Sequence, residues 1–153
     1  MQLRLFVHTN MKEEEKSYFC NCLYFSASSF ARNMTKLADE AFASTGWAPS
    51  YAFVLMTVNR HEEGVSPSII AKEMHLTPST VTRLLDKLEQ KDMITRHSEG
   101  KASIVKPTRK SKAINEDLVN SWSNLFKNYN EMLGEQSAQK LAAELYDSSE
   151  KIK

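Results

Sequence analysis

The side chains best able to do chemistry in this chain are hydroxyls and cations gathered between residues 66 and 101. Ser66, Ser68, Thr77, Ser79, Thr80 and Thr82 are short hydrogen-bonding groups, and Arg83, Lys87, Arg96 and Lys101 supply the charge. Hydroxyls and backbone N–H groups hold phosphates, and an arginine can fork onto the edge of a guanine, so this set suits double-stranded DNA. Catalysis finds no comparable grouping. The sequence has no glycine-rich phosphate loop, no close His/Cys/Asp cluster and no paired acid with a base partner. His8, His61, His75 and His97 are scattered, so no enzyme activity, cofactor or metal site is expected. The two cysteines, Cys20 and Cys22, are too few for the disulfide framework of a small secreted protein. On a continuous helix they would lie about 200° apart and could not pair. Cys22 then reads first as a small buried hydrophobe, with a thiol sensor and, after it, metal binding with a histidine such as His8 as the alternatives.

Glycine and proline mark the elements that must position these groups. Gly46, Gly64, Gly100 and Gly134, with Pro49, Pro67, Pro78 and Pro107, fall between periodic segments rather than inside them. From Lys16 to Ala43, Phe19, Leu23, Phe30, Met34, Leu37 and Ala41 recur at helical spacing and predict one long amphipathic helix. A second helix covers Pro49 to Asn59. Ser66-Pro67 and Thr77-Pro78 each place a capping hydroxyl before a proline at the first helical position, so two short helices start there, joined by a tight turn. In the second of these, Val81, Leu84, Leu85 and Leu88 share a stripe roughly 100° wide, leaving Ser79, Arg83, Asp86 and Gln90 opposite it. Thr95 to Lys106 reads as a small hairpin turning at Gly100. Ile114 to Met132 and a shorter segment around Leu141 and Leu145 close the chain as helices. The fold class is mainly α, a winged helix-turn-helix with a small hairpin wing and long terminal helices.

With 153 residues, 41% hydrophobic and 25% charged, the composition fits one globular domain and excludes disordered and membrane classes. The first residues lack a signal-peptide pattern, and a cytoplasmic location is expected. A formal charge of +1 conceals an asymmetry. Arg60 to Lys112 holds 11 Lys and Arg against 7 acids, and the remainder holds 9 against 12, so the basic charge is centred on the candidate DNA-binding elements. Phe19, Leu118, Trp122, Phe126 and Leu145 are large apolar residues that a small winged helix cannot cover, which points to a partner chain.

The run Ser66-Pro67-Ser68-Ile69-Ile70-Ala71-Lys72-Glu73-Met74, followed by Leu76-Thr77-Pro78-Ser79-Thr80-Val81-Thr82-Arg83-Leu84-Leu85-Asp86-Lys87-Leu88-Glu89, resembles the helix-turn-helix of the MarR family of transcriptional regulators. The likeness extends over about Cys22 to Leu133. Glu99-Gly100-Lys101 stands where that family usually has an acidic-x-arginine wing tip, Pro107 replaces a leucine and Ser111 replaces a glycine. The resemblance implies a repressor that binds a pseudo-palindromic operator as a homodimer, with residues 16–48 and 112–153 as dimerisation region and 49–111 as DNA-binding lobe. Phe19, Leu23, Leu118, Trp122, Leu125, Phe126, Leu141 and Leu145 would form the dimer interface. A small aromatic effector is implied between the two regions, with Tyr24, Ser28, Arg32 and Trp47 as candidate lining. Part of the family senses peroxide through a first-helix cysteine. Alignment on Met34-Thr35-Lys36 puts that position at Tyr24, two residues from Cys22, so Cys20 and Cys22 are redox candidates out of register. A winged helix serving protein interaction without DNA is the remaining alternative.

Overall fold

A computed structural model describes residues 17–99 and 102–152 of the chain, which divides into two units, Met1–Thr35 and Lys36–Lys153. In the first unit the amides of Cys20 and Cys22 donate to the carbonyls of Ser17 and Phe19, both at 2.9 Å. Closing the chain over three residues makes tight turns instead of α-helix. Helix α1 (Leu23–Phe42) therefore begins well after the expected start at Lys16. Tyr18, Phe19 and Phe25 pack ring to ring around this turn, with centroids 5.0 and 5.7 Å apart.

The second unit begins within α1, whose Leu37, Ala38 and Ala41 pack against the core and whose Phe42 is fully buried. A 3-10 turn, Ala43–Thr45, stops at Gly46, where φ is 72° and a side chain would be strained. Helix α2 (Pro49–Arg60) runs through the centre with six consecutive or near-consecutive positions buried from Ala52 to Val58, so it has no broad solvent face along that stretch. Helices α3 (Pro67–Glu73) and α4 (Pro78–Gln90) start at the two expected caps. The Ser66 hydroxyl accepts from the Ile69 amide and the Thr77 hydroxyl from the Thr80 amide. Each cap satisfies an otherwise orphan donor.

Strand β1 (Ile94–Glu99) pairs antiparallel with β2 (Ala102–Pro107), with Arg96 opposite Val105 and His97 opposite Ile104. Val65 adds a third edge: its amide and carbonyl exchange bonds of 2.9 and 2.8 Å with Val105. Gly64 immediately before it has φ 108°, and an added Cβ would run into Ile104 Cγ2. Helix α5 (Arg109–Ala113) is a short capped element before the helix expected from Ile114, and α6 (Asn115–Leu133) and α7 (Glu135–Lys151) follow it. The mainly helical winged helix-turn-helix expected from the sequence is the observed fold. Its core joins Phe42, Leu55, Val58, Ile70, Leu85, Leu88, Ile94 and Leu118. Among the described residues, no helix is long and apolar enough to cross a membrane.

Candidate nucleic-acid interface

Helix α4 buries all four residues of its apolar stripe: Val81 and Leu88 are fully covered, and Leu84 and Leu85 nearly so. Ser79, Thr82, Arg83, Lys87 and Gln90 are exposed, which fixes the opposite face as the outward one. At its N-terminus the hydroxyls of Thr77, Ser79 and Thr80 form a cluster, with Thr77 Oγ1 3.1 Å from Ser79 Oγ and 2.9 Å from Thr80 Oγ1. Thr82 donates its hydroxyl to the Pro78 carbonyl at 3.0 Å. Ser66 and Ser68 repeat the motif on α3, 2.8 Å apart. Ser66 and Thr77 are thus helix caps first. Ser68, Thr77 and Ser79 are exposed, and Ser66 and Thr80 are half-buried. Arg83 and Lys87 make no ion pair or side-chain hydrogen bond with another described residue, so two unspent cations stand on the outer face of α4.

Arg96, expected among the DNA-binding residues, is bonded within the chain. Its Nη2 donates to Asp86 Oδ1 at 2.6 Å and to Glu89 Oε2, its Nε donates to Glu89 Oε2 at 2.9 Å, and its backbone amide donates to Glu89 Oε1 at 3.2 Å. These bonds hold the Glu89 carboxyl below its ordinary range and push the Arg96 guanidinium up, through the same side-chain hydrogen bonds. The sequence showed Asp86 only as part of a polar face and Glu89 only as the end of the helix-turn-helix run, since nothing in helical periodicity reports a partner on a strand. His97 Nε2 lies 3.0 Å from Thr95 Oγ1. Lys101 lies outside the described residues, as does His8.

The basic residues after the wing are partly spent within the chain. Thr108 caps α5 by accepting from the Ser111 amide at 3.2 Å, and its hydroxyl lies 2.8 and 3.0 Å from the carbonyls of Asp92 and Met93. Lys110 Nζ donates to the Lys91 carbonyl at 2.9 Å, and Lys112 lies 3.6 Å from Glu62. Ser111, fully buried, donates its hydroxyl to Asn59 Oδ1 at 2.8 Å, and Asn59 Nδ2 donates to Asn115 Oδ1 at 2.9 Å. A serine at this position therefore has a specific partner that glycine would lack.

The terminal helices need a correction. Leu118 is fully buried and Leu125 is 6% exposed in the chain's own core, so neither is available to a partner. Trp122, Phe126 and Leu145 are 50%, 43% and 38% exposed, Phe19 and Leu23 more so than Leu145, and Leu141 is half-buried. Cys20 and Cys22 are both exposed, against the expected burial of Cys22. The turn that replaces helix here also removes the geometric argument against their pairing.

A cavity of about 260 Å³ opens between α2 and α6. It is lined by apolar Phe53, Met56, Val119 and Trp122 and by polar Thr57, Arg60 and Asn115. None of Tyr24, Ser28, Arg32 and Trp47 lines it. Tyr24 is exposed, Ser28 half-buried and Arg32 exposed on the first-unit part of α1, and Trp47 is half-buried beside Tyr51 in the second unit. Arg60 is already bonded to Glu73 Oε2 at 2.7 Å. Sequence reasoning missed this cavity because α2 showed only as a richly apolar helix.

Residues 49–99 match the model of the MarR family. A curated relative, the HTH-type transcriptional repressor MdtR of Bacillus subtilis (strain 168), is 39% identical over 57 residues, and the match spans 37% of this chain and 36% of the relative. The chain thus aligns with only about a third of that relative's length. Among solved structures, CouR bound to a 23-mer DNA duplex superposes with a TM-score of 0.76 at 16% identity, covering 92% of this chain and 99% of that one. The S. aureus MepR–DNA complex gives 0.72 at 18% identity, covering 90% and 99%. CouR from Rhodococcus jostii RHA1 bound to p-coumaroyl-CoA gives 0.71 at 19%, covering 85% and 93%. Residues 49–99 are therefore similar to the MarR family over about a third of the chain, and the fold that surrounds them is shared with the solved winged-helix structures.

Proposed function

We propose that the chain is a DNA-binding transcriptional regulator, a repressor that engages a pseudo-palindromic operator as a homodimer. The observation that carries this reading is the outer face of α4, where Arg83 and Lys87 stand unpaired among Ser79 and Thr82 on a helix whose apolar side is fully covered. Such a face is complete in its own fold and complementary to phosphates and base edges. Fold-level likeness to CouR and MepR, both solved with DNA, supports it. Arg83 is assigned to base contact. Ser68, Ser79, Thr80, Thr82 and Lys87, with Lys101 at the wing, are assigned to phosphates, while Ser66 and Thr77 present the helix N-termini.

The dimer is carried by Trp122, Phe126 and Leu145 on the terminal helices, with Phe19 and Leu23, all exposed in the single chain. A small aromatic effector is assigned to the α2–α6 cavity instead of the four residues expected from the sequence, since Phe53, Met56 and Trp122 offer apolar contact and Asn115 a hydrogen bond. The bound ligand of one CouR structure, p-coumaroyl-CoA, carries an aromatic acyl group of this class.

The test is fluorescence anisotropy with a duplex from the protein's own upstream region against a scrambled duplex, at several salt concentrations. Tighter binding of the upstream duplex, weakening steeply with salt, is expected. Binding that ignores both sequence and salt would assign this fold to protein interaction instead.

A further inference from the structure

A recognition helix that carries acids beside its cations faces an electrostatic problem. Asp86 and Glu89 lie one turn apart on α4, their side chains 47% and 39% exposed, near a face assigned to a polyanion. Within a Debye length of about 10 Å at 0.1 M salt, each uncompensated carboxylate repels phosphates. Arg83 and Lys87 sit on the same helix, yet neither pairs with these acids. Arg96 does, reaching back from β1 with two guanidinium nitrogens and its backbone amide.

We infer that Arg96 is a positioning residue for DNA binding, which neutralises Asp86 and Glu89 and ties the first wing strand to the recognition helix, and which makes no phosphate contact of its own. This role rests on the DNA-binding reading of α4. The geometry argues for it in two ways. A planar fork spanning two carboxylates fixes direction as well as distance, which a lysine cannot do. The wing also leaves α4 through only Lys91, Asp92 and Met93, with Asp92 at φ 58°, so a second tie near Arg96 determines the wing's angle. Bonding of both the side chain and the amide of one residue by Glu89 gives the strand a fixed register against α4. Stability alone does not explain the arrangement, because partly exposed ion pairs contribute little to it.

The experiment compares four full-length proteins: wild type, Arg96→Gln, the pair Asp86→Asn with Glu89→Gln, and the triple variant. Each is titrated with the upstream duplex at several salt concentrations, and amide hydrogen exchange of β1 is measured without DNA. Arg96→Gln is expected to weaken binding about tenfold, the scale of one or two unpaired carboxylates near phosphates, with the salt slope unchanged. The triple variant is expected to recover most of that affinity, because the repelling charges have gone. Exchange in β1 is expected to quicken in both Arg96→Gln and the acid pair. If Arg96→Gln instead lowers the salt slope by about 0.9 and the triple variant stays weak, Arg96 is a phosphate ligand and the inference is overturned. Wild-type affinity in Arg96→Gln overturns it as well. A wild type that binds no duplex removes the DNA reading and this role together. That outcome is told apart from failure of the clamp itself, which would appear as unchanged β1 exchange.

Discussion

Helices α4 and α6 are both amphipathic, and they end in opposite conditions. Helix α4 hides its whole apolar stripe under its own chain and presents hydroxyls and cations outward. Helix α6 buries Leu118, Ser121 and Leu125 and still shows Val119, Trp122 and Phe126, which are 39%, 50% and 43% exposed. A helix whose apolar residues are all covered is finished as a piece of core, so its outer face is free to be chosen for a polar partner. A helix with a second apolar stripe is unfinished, and only another apolar surface completes it. On the proposed reading the two helices divide the molecule's work: α4 for nucleic acid, α6 for protein.

The sharpest way to break this contrast is to truncate on each helix in turn. Leu85→Ala removes a fully packed side chain and should cost about 2–5 kcal/mol of stability, read from urea unfolding of the whole protein. Trp122→Ala with Phe126→Ser should leave the unfolding curve of dilute monomer nearly in place while dissolving the dimer in sedimentation velocity, since buried aromatic anchors are commonly worth 2 kcal/mol or more to an interface. A monomeric wild type, or a variant that stays dimeric, would remove the distinction between the helices. Arg83→Ala should lower preference for the upstream duplex by about 1–3 kcal/mol with the dimer intact. Equal preference in mutant and wild type would take base reading away from α4. The smallest effect concerns Glu89, whose carboxyl Arg96 holds below its ordinary range. Its contribution is complete above the unfolded glutamate pKa and fades as pH falls through the lowered folded value. The Tm difference between wild type and Glu89→Gln should therefore shrink on acidification, and a constant difference would show that the ion pair does not act on stability.

The same contrast explains how much the sequence disclosed. Val81, Leu84, Leu85 and Leu88 form a single stripe, so periodicity alone located the covered and open faces of α4, and the Ser66-Pro67 and Thr77-Pro78 pairs located the starts of α3 and α4. On α6 the period of Leu118, Trp122, Leu125 and Phe126 is just as regular, but it cannot say which half the chain covers itself. That depends on α2 and the 3-10 turn Ala43–Thr45, distant in sequence. The partners of Arg96 stayed hidden for a related reason: they lie on another element, and a free arginine and a clamped one look alike in one dimension. The late start of α1 is a local matter, decided by four-residue turns ending at Cys20 and Cys22 that apolar spacing does not register. The α2–α6 cavity is the most hidden feature of all, because it is made by shape between one helix that read as plain core and another that read as a dimer face.

Amide chemical-shift mapping of the uniformly labelled protein with its upstream duplex tests the division of labour most directly. Shifts concentrated on Ser79 to Lys87 of α4 and on the wing, with Val119, Trp122 and Phe126 of α6 unmoved, are the predicted result. Shifts centred on the α6 face, or none on α4 at saturating duplex, would contradict it.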